Sequence, residues 1–181
     1  MKVKELEQEV KGLIREIPDF PVKGILFKDI MPVLRNPQLC NKIISAFESV
    51  VKDWEGEVIA GIESRGFFFG PSVAFNLGLP FVPVRKVGKL PGDTVAVSYN
   101  LEYGTATIEM HSDAIKPGQR VIIHDDLLAT GGTAEAAAQL VQKLGGQVAG
   151  FLFLVELDFL AGREMLTPYS ENIFSIVHYE K

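Results

Sequence analysis

The sequence has little with which to staple or embed itself. Cys40 is the one cysteine among 181 residues, so no internal disulfide can form, and the expectation is a reducing, cytoplasmic setting. The longest unbroken apolar run, Phe151 to Val155, falls far short of the ~20 residues a membrane span requires, so no membrane partner is expected. Residues 1–9 are charged and amphipathic, which is not the pattern of a signal peptide. No block of like charge occurs: 18 Lys and Arg against 23 Asp and Glu leave a net charge of −5, with no basic stripe for nucleic acid. Neither a Walker loop nor G-x-G-x-x-G is present, and Gly61 lies one residue too far from Ser64 for a nucleophile elbow. Cys40, His111, His124 and His178 have no zinc-binding spacing, so a protein-liganded transition metal is not expected. There is no internal repeat.

What is present is ordinary globular material, 47% apolar and 23% charged, with 17 Gly and 10 Pro spread along the chain. A chain of this mass buries roughly 70% of its extended surface, enough for one self-sufficient core. Val3, Leu6, Val10, Leu13, Ile14 and Ile17 fall at helical spacing and predict a first helix stopped by Pro18. Four prolines and Gly24 make residues 18–37 an irregular stretch, after which Asn36-Pro37 reads as the cap and first position of a second helix to about Lys52. Residues 58–62, 81–85, 120–124, 148–157 and 173–177 are apolar strands. A short helix is expected over 71–77 and a further helix over 134–144, and 94–110 alternates in part, like a hairpin or flap. Apolar rather than alternating strands, interleaved with helices, predict an α/β fold: doubly wound, with a mainly parallel sheet covered on both faces. The expected organisation is a single domain over 1–181, with an N-terminal hood over about 1–35 and a flap over about 86–110.

In such sheets ligands sit beyond the carboxyl ends of the strands, where residues 63–66, 85–93 and 125–133 should lie. The third segment is the most informative. An apolar strand delivers Asp125 and Asp126, then Thr130-Gly131-Gly132-Thr133, then a helix N-terminus. Free backbone N–H groups, two hydroxyls and close-approach glycines make a phosphate cradle, reinforced by the helix dipole. Two carboxylates beside a phosphate need a further reason, and a diol that donates to them supplies it. Ribose 5-phosphate is such a ligand.

His124-Asp-Asp-Leu-Leu-Ala-Thr-Gly-Gly-Thr133 resembles the phosphoribosyl-diphosphate motif of type I phosphoribosyltransferases. Pro18-Asp-Phe-Pro21 with Gly24-Ile-Leu-Phe-Lys-Asp-Ile30, Glu63-Ser-Arg-Gly-Phe67, Arg85-Lys86 with Gly88-Lys-Leu-Pro-Gly92, and Tyr99-Asn-Leu-Glu-Tyr-Gly104 narrow the resemblance to the branch that uses adenine. Val155-Glu-Leu157 and Gly162-Arg-Glu164 extend it, so that it runs in order from about residue 18 to 165. Two departures stand out: His124 where an aliphatic residue is usual, and Met31 where a small polar residue is common.

The resemblance implies transfer of phosphoribose from phosphoribosyl diphosphate to adenine, giving AMP and diphosphate, a purine-salvage reaction. It implies that Asp125 and Asp126 hold the ribose hydroxyls and that Ala129, Thr130, Gly131, Gly132 and Thr133 hold the 5-phosphate. Arg65, Arg85, Lys86 and Lys89 would meet the diphosphate, and Leu26, Phe27, Lys28 and Leu127 the adenine. Glu102, Arg65 and Tyr103 would serve catalysis, with Glu102 and Tyr103 on a closing flap. Mg²⁺ would be held by the diphosphate and ribose oxygens of the substrate, without a protein cage. The partners implied are small-molecule substrates and a second copy in a homodimer. A relative using another base, and a non-catalytic sensor of phosphoribosyl diphosphate, remain the alternatives.

Overall fold

A computed structural model describes residues 3–100 and 104–180 and resolves nine strands and six α-helices among them. α1 (Val3–Lys11) is shorter than its apolar spacing predicts. Arg15–Pro18 turns away as β1 and pairs antiparallel with β2 (Leu26–Asp29), setting Ile17 opposite Phe27. Partners outside any helix account for the change. Arg15 donates to Asp29 Oδ2 at 2.7 and 3.1 Å, and Lys28 pairs with Glu16. The proline-rich stretch is therefore ordered in part, and it continues into α2 (Met31–Leu34). α3 (Pro37–Asp53) begins where the sequence predicts, with Asn36 Oδ1 accepting from Leu39 N at 3.0 Å.

β3 (Val58–Ile62) is buried at every residue and leads through the 3₁₀ turn Arg65–Phe67 into α4 (Gly70–Asn76). β4 (Phe81–Lys86) follows, then the antiparallel hairpin strands β5 (Thr94–Asn100) and β6 (Thr105–His111). β7 (Arg120–Leu128), α5 (Gly132–Lys143), β8 (Gln147–Leu157), α6 (Gly162–Leu166) and β9 (Ile173–Tyr179) complete the chain. The main sheet is ordered β5-β6-β4-β3-β7-β8-β9, parallel from β4 to β9 with the hairpin antiparallel at one edge. Alternate side chains feed two cores. Val58, Ala60, Val121, Ile123, Phe151 and Phe153 pack with α5. Ile59, Ile122, Leu152 and Leu154 pack with α1, α3 and α4 on the other face. Strand order reverses between β3 and β7, so the loops after these two strands flank the crevice where such sheets bind ligands.

His124 lies inside this sheet at 1% exposure. Its Nδ1 is 2.9 Å from the Leu152 carbonyl oxygen, Phe47 meets it edge-on at 5.3 Å, and Nε2 has no partner among the described residues. Burial drives its pKa down to about 4, against a partial offset from the Leu152 carbonyl. The unfolded chain therefore binds a proton near pH 6.5 that the folded chain refuses until about pH 4, and stability falls with pH across that window. Against His124→Val, the native chain should lose about 3 kcal/mol between pH 7 and pH 4. Urea unfolding at a series of pH values measures the difference. Parallel profiles for the two proteins would show that the imidazole is not held neutral.

Candidate functional site

The strand that brings the two acids runs further than its apolar pattern predicts. β7 continues to Leu128 because Leu127 and Leu128 pair with Val155 and Glu156 of β8. Asp125 and Asp126 are thus strand residues rather than loop residues, and strand alternation turns them to opposite faces. Asp125 lines a cavity of about 190 Å³, together with Arg65 and residues 127–134. Asp126 is buried at 1% exposure and does not reach that wall. Its Oδ1 lies 3.2 Å from Arg65 Nε without an aligned hydrogen bond, which leaves a buried acceptor unsatisfied beside the cavity. Asp125 Oδ1 accepts from the Asp126 N–H at 2.9 Å. Burial, and then the neighbouring Asp126 charge, push Asp125 well above the usual carboxylate range. Burial also raises Asp126, opposed chiefly by the Arg65 guanidinium. The pair is poised to take hydroxyl donors or a cation.

The Thr130–Thr133 turn forms where the sequence places it, at the N-terminus of α5. Gly131 precedes the helix with φ +88°, a conformation that side-chain-bearing residues rarely adopt. A side chain there would also meet the protein itself. A Cβ on Gly131 would come within 2.6 Å of the Gly162 carbonyl oxygen and 3.2 Å of Met165 Cβ. α6 therefore backs the loop at Gly131 and leaves no room for a side chain on that side. Thr133 Oγ1 donates to the Tyr99 hydroxyl at 3.1 Å, tying β5 to the cradle. Nothing in local spacing announces that bond.

Arg65 joins three parts of the site. It lines the cavity, neighbours Asp126, and sets its guanidinium 5.8 Å from the centroid of the Phe27 ring. The Glu63–Ser64 peptide just before it is cis. Phe27 is half-buried and meets Phe20 edge-on at 5.1 Å, so the β1–β2 hairpin leans over the crevice. Leu127 is on the cavity wall, while Leu26 is exposed. Lys28 is buried, with its ammonium against Glu16 and 3.9 Å from the centroid of the Tyr179 ring, so only its backbone is free to meet a ligand.

Of the expected diphosphate cations, Arg65 lines that wall, and Arg85, Lys86 and Lys89 do not. Arg85 grips Glu63 through Nε–Oε2 at 3.0 Å and Nη2–Oε1 at 3.3 Å, with Nη1 donating to the Lys89 carbonyl at 3.1 Å. That grip holds the Glu63 carboxyl below its ordinary range. Arg85 is occupied because Glu63, at the end of the neighbouring strand, lies within reach. Lys86 and Lys89 are exposed and make no ion pair among the described residues. The segment they occupy is held by a residue absent from the expected set. Buried Glu109 accepts the Lys89 and Leu90 N–H groups at 2.9 Å each and the Thr94 hydroxyl at 3.2 Å. The Leu90 amide bond is the main influence holding its carboxyl below the usual range. A lone acid between Ile108 and Met110 was the available signal. Glu102 and Tyr103 lie outside the described residues.

The phosphoribosyl transferase domain family matches residues 31–178. The adenine phosphoribosyltransferase of Cytophaga hutchinsonii is 52% identical over 174 residues, covering 96% of each chain. A crystal structure of adenine phosphoribosyltransferase from Thermoanaerobacter pseudethanolicus superposes with a TM-score of 0.91 at 51% identity, covering 95% of this chain and 99% of that one. The Saccharomyces cerevisiae adenine phosphoribosyltransferase, solved with D-2,5-dideoxy-2,5-imino-altritol 1,6-bisphosphate and adenine, gives 0.90 at 44% identity over 96% and 99% of the two chains.

Proposed function

The chain belongs to the phosphoribosyl transferase family, where it groups with the adenine phosphoribosyltransferases, and on that premise we propose how its residues divide the work. The reaction moves the 5-phosphoribosyl group of phosphoribosyl diphosphate to adenine, releasing diphosphate and leaving AMP. Its chemistry is that of a pentosyltransferase in purine salvage. The observation that carries the assignment of residues is the single cavity in which Arg65, Asp125 and the 129–133 turn meet at the N-terminus of α5.

In this reading the backbone N–H groups and hydroxyls of Ala129 to Thr133 cradle the 5-phosphate. Asp125 accepts a ribose hydroxyl directly, and Asp126, behind the cavity wall, reaches the second through its Oδ1 only once Arg65 has moved off it. Arg65 leaves Asp126 for the diphosphate, with Lys86 and Lys89 approaching from their exposed segment. Arg85 shapes that segment through Glu63 and Lys89. Phe27 stacks on the base, with Leu127 beneath it and the backbone of Leu26 and Lys28 at its edge. Breaking the anomeric bond leaves an oxocarbenium-like sugar, so the site's task is to stabilise the departing diphosphate and hold the base in line.

Asp125 is the one carboxylate among the described residues that line the cavity, which suits an ion carried in on substrate oxygens and not a protein cage. With Asp125 as the protein carboxylate nearest to it, Mg²⁺ would supply positive charge to offset that of the departing diphosphate. Residues 1–35 act as hood and 86–110 as flap on one domain, and the chain pairs as a homodimer. No helix among the described residues is long and apolar enough to cross a membrane. Cys40 as the lone cysteine supports a cytoplasmic setting.

Calorimetry tests the division of roles. Asp125→Ala and Asp126→Ala should each weaken phosphoribosyl diphosphate binding by about 1.5–3 kcal/mol, the worth of a hydrogen bond to a charged acceptor. Unchanged affinity in both variants would remove the ribose from these acids.

A further inference from the structure

Val155-Glu-Leu157 and Gly162-Arg-Glu164 belong to the resemblance but hold no ligand in the reading above. The structure brings them together behind the phosphate loop. Arg163 donates to Glu156 through Nε at 3.0 Å and Nη2 at 2.7 Å, and its Nη1 donates to the Ile173 carbonyl at 2.9 Å. Glu156 is 4% exposed and also accepts from Ser175 Oγ at 2.6 Å. Three directed bonds therefore fix the start of α6 to β8 and β9. The same helix opens on Gly162, where a Cβ would meet the Ala129 carbonyl oxygen at 2.1 Å, and where the glycine's own carbonyl would be 2.6 Å from a Cβ on Gly131. Two backbones thus rest against each other, with no side chain between to absorb a shift.

Glu156, Asp158 and His178 also bring ligand-type atoms within 4.8 Å of one another. Arg163 and Ser175 already occupy the Glu156 oxygens, and His178 Nδ1 lies 3.0 Å from Asp158 Oδ1. That arrangement is a hydrogen-bonded network around the Glu156–Arg163 ion pair, and its consequence lies on the loop side.

We propose that Glu156 and Arg163 are positioning residues for the 5-phosphate loop, fixing the Gly162 backbone against which Ala129 and Gly131 rest. The proposal depends on reading residues 129–133 as the 5-phosphate cradle. The clamp touches no substrate. It sets where the loop's N–H groups stand, and displacements of about 1 Å in positioning groups can cost on the order of a hundredfold.

The test is the full-length Glu156→Met/Arg163→Met double variant, which removes both charges together and leaves no buried carboxylate unpaired. AMP affinity should fall, and KM for phosphoribosyl diphosphate rise, on the order of tenfold to a hundredfold, while KM for adenine stays at its wild-type value. Arg163→Lys keeps the charge but loses the planar fork, and should fall between wild type and double variant. A merely structural role would move both KM values together, and that outcome overturns the proposal. Wild-type AMP affinity in the folded double variant overturns it too. Should the double variant not fold, wild-type AMP affinity in Arg163→Lys overturns it. Thr130→Val and Thr133→Val separate the two readings. If they leave AMP binding intact, the cradle itself lies elsewhere. If they weaken AMP binding and the double variant does not, only the clamp is refuted.

Discussion

Glu102→Gln should slow turnover by ~10²–10⁴-fold, the usual scale for general acid–base help, with little change in the affinity for either substrate. Adenine in its common N9–H form must lose that proton as the new bond forms, and in reverse the departing base must regain one on a ring nitrogen. Glu102 belongs to the segment between β5 and β6, and β5 is tied to the start of α5 through Tyr99 and Thr133. A carboxylate brought over the site and stripped of water would have its pKa raised toward neutrality, where it can serve both directions. Glutamine keeps the size and most of the hydrogen bonding but cannot exchange the proton. Slow product release can mask the chemical step, so the comparison is made in single turnover. A wild-type single-turnover rate in Glu102→Gln would leave the residue without a catalytic role.

Gly131→Val should abolish AMP binding and lower stability as well. Backbone strain at a non-glycine residue with positive φ costs about 1–3 kcal/mol. The Cβ would in addition press to within 2.6 Å of the Gly162 carbonyl oxygen. The loop must move off α6, and its N–H groups leave the positions that face the cavity. Circular dichroism establishes that the variant is folded, and calorimetry then measures AMP. Normal AMP affinity in the folded variant would place the 5-phosphate elsewhere.

The β7–loop–α5 unit was legible in the sequence because every feature it needs is local. An apolar strand, small residues and a helix start follow one another within about two turns of chain. What escaped depends on partners far along the chain. α1 stops early because Arg15 finds Asp29, fourteen residues on, in a hairpin that helical spacing does not encode. The opposite faces of Asp125 and Asp126 depend on where β7 ends, which its pairing with β8 decides. Arg85 read as a free cation because Glu63 lies twenty-two residues upstream, on a neighbouring strand. The packing of Gly131 on α6 escaped because Gly162 is not visible from within the motif. Residue types announced the chemistry, and tertiary contacts decided which groups face it.

If this cavity and hood serve transfer to adenine, the base supplied decides whether nucleotide forms. The most direct measurement is incubation of the full chain with phosphoribosyl diphosphate, Mg²⁺ and, in turn, adenine, hypoxanthine, xanthine and orotate, following nucleotide and diphosphate together. Adenine should give AMP and diphosphate in equal amounts, and the other three bases negligible nucleotide. Comparable turnover of hypoxanthine, xanthine or orotate, or no nucleotide from adenine, would contradict that role for the cavity and hood.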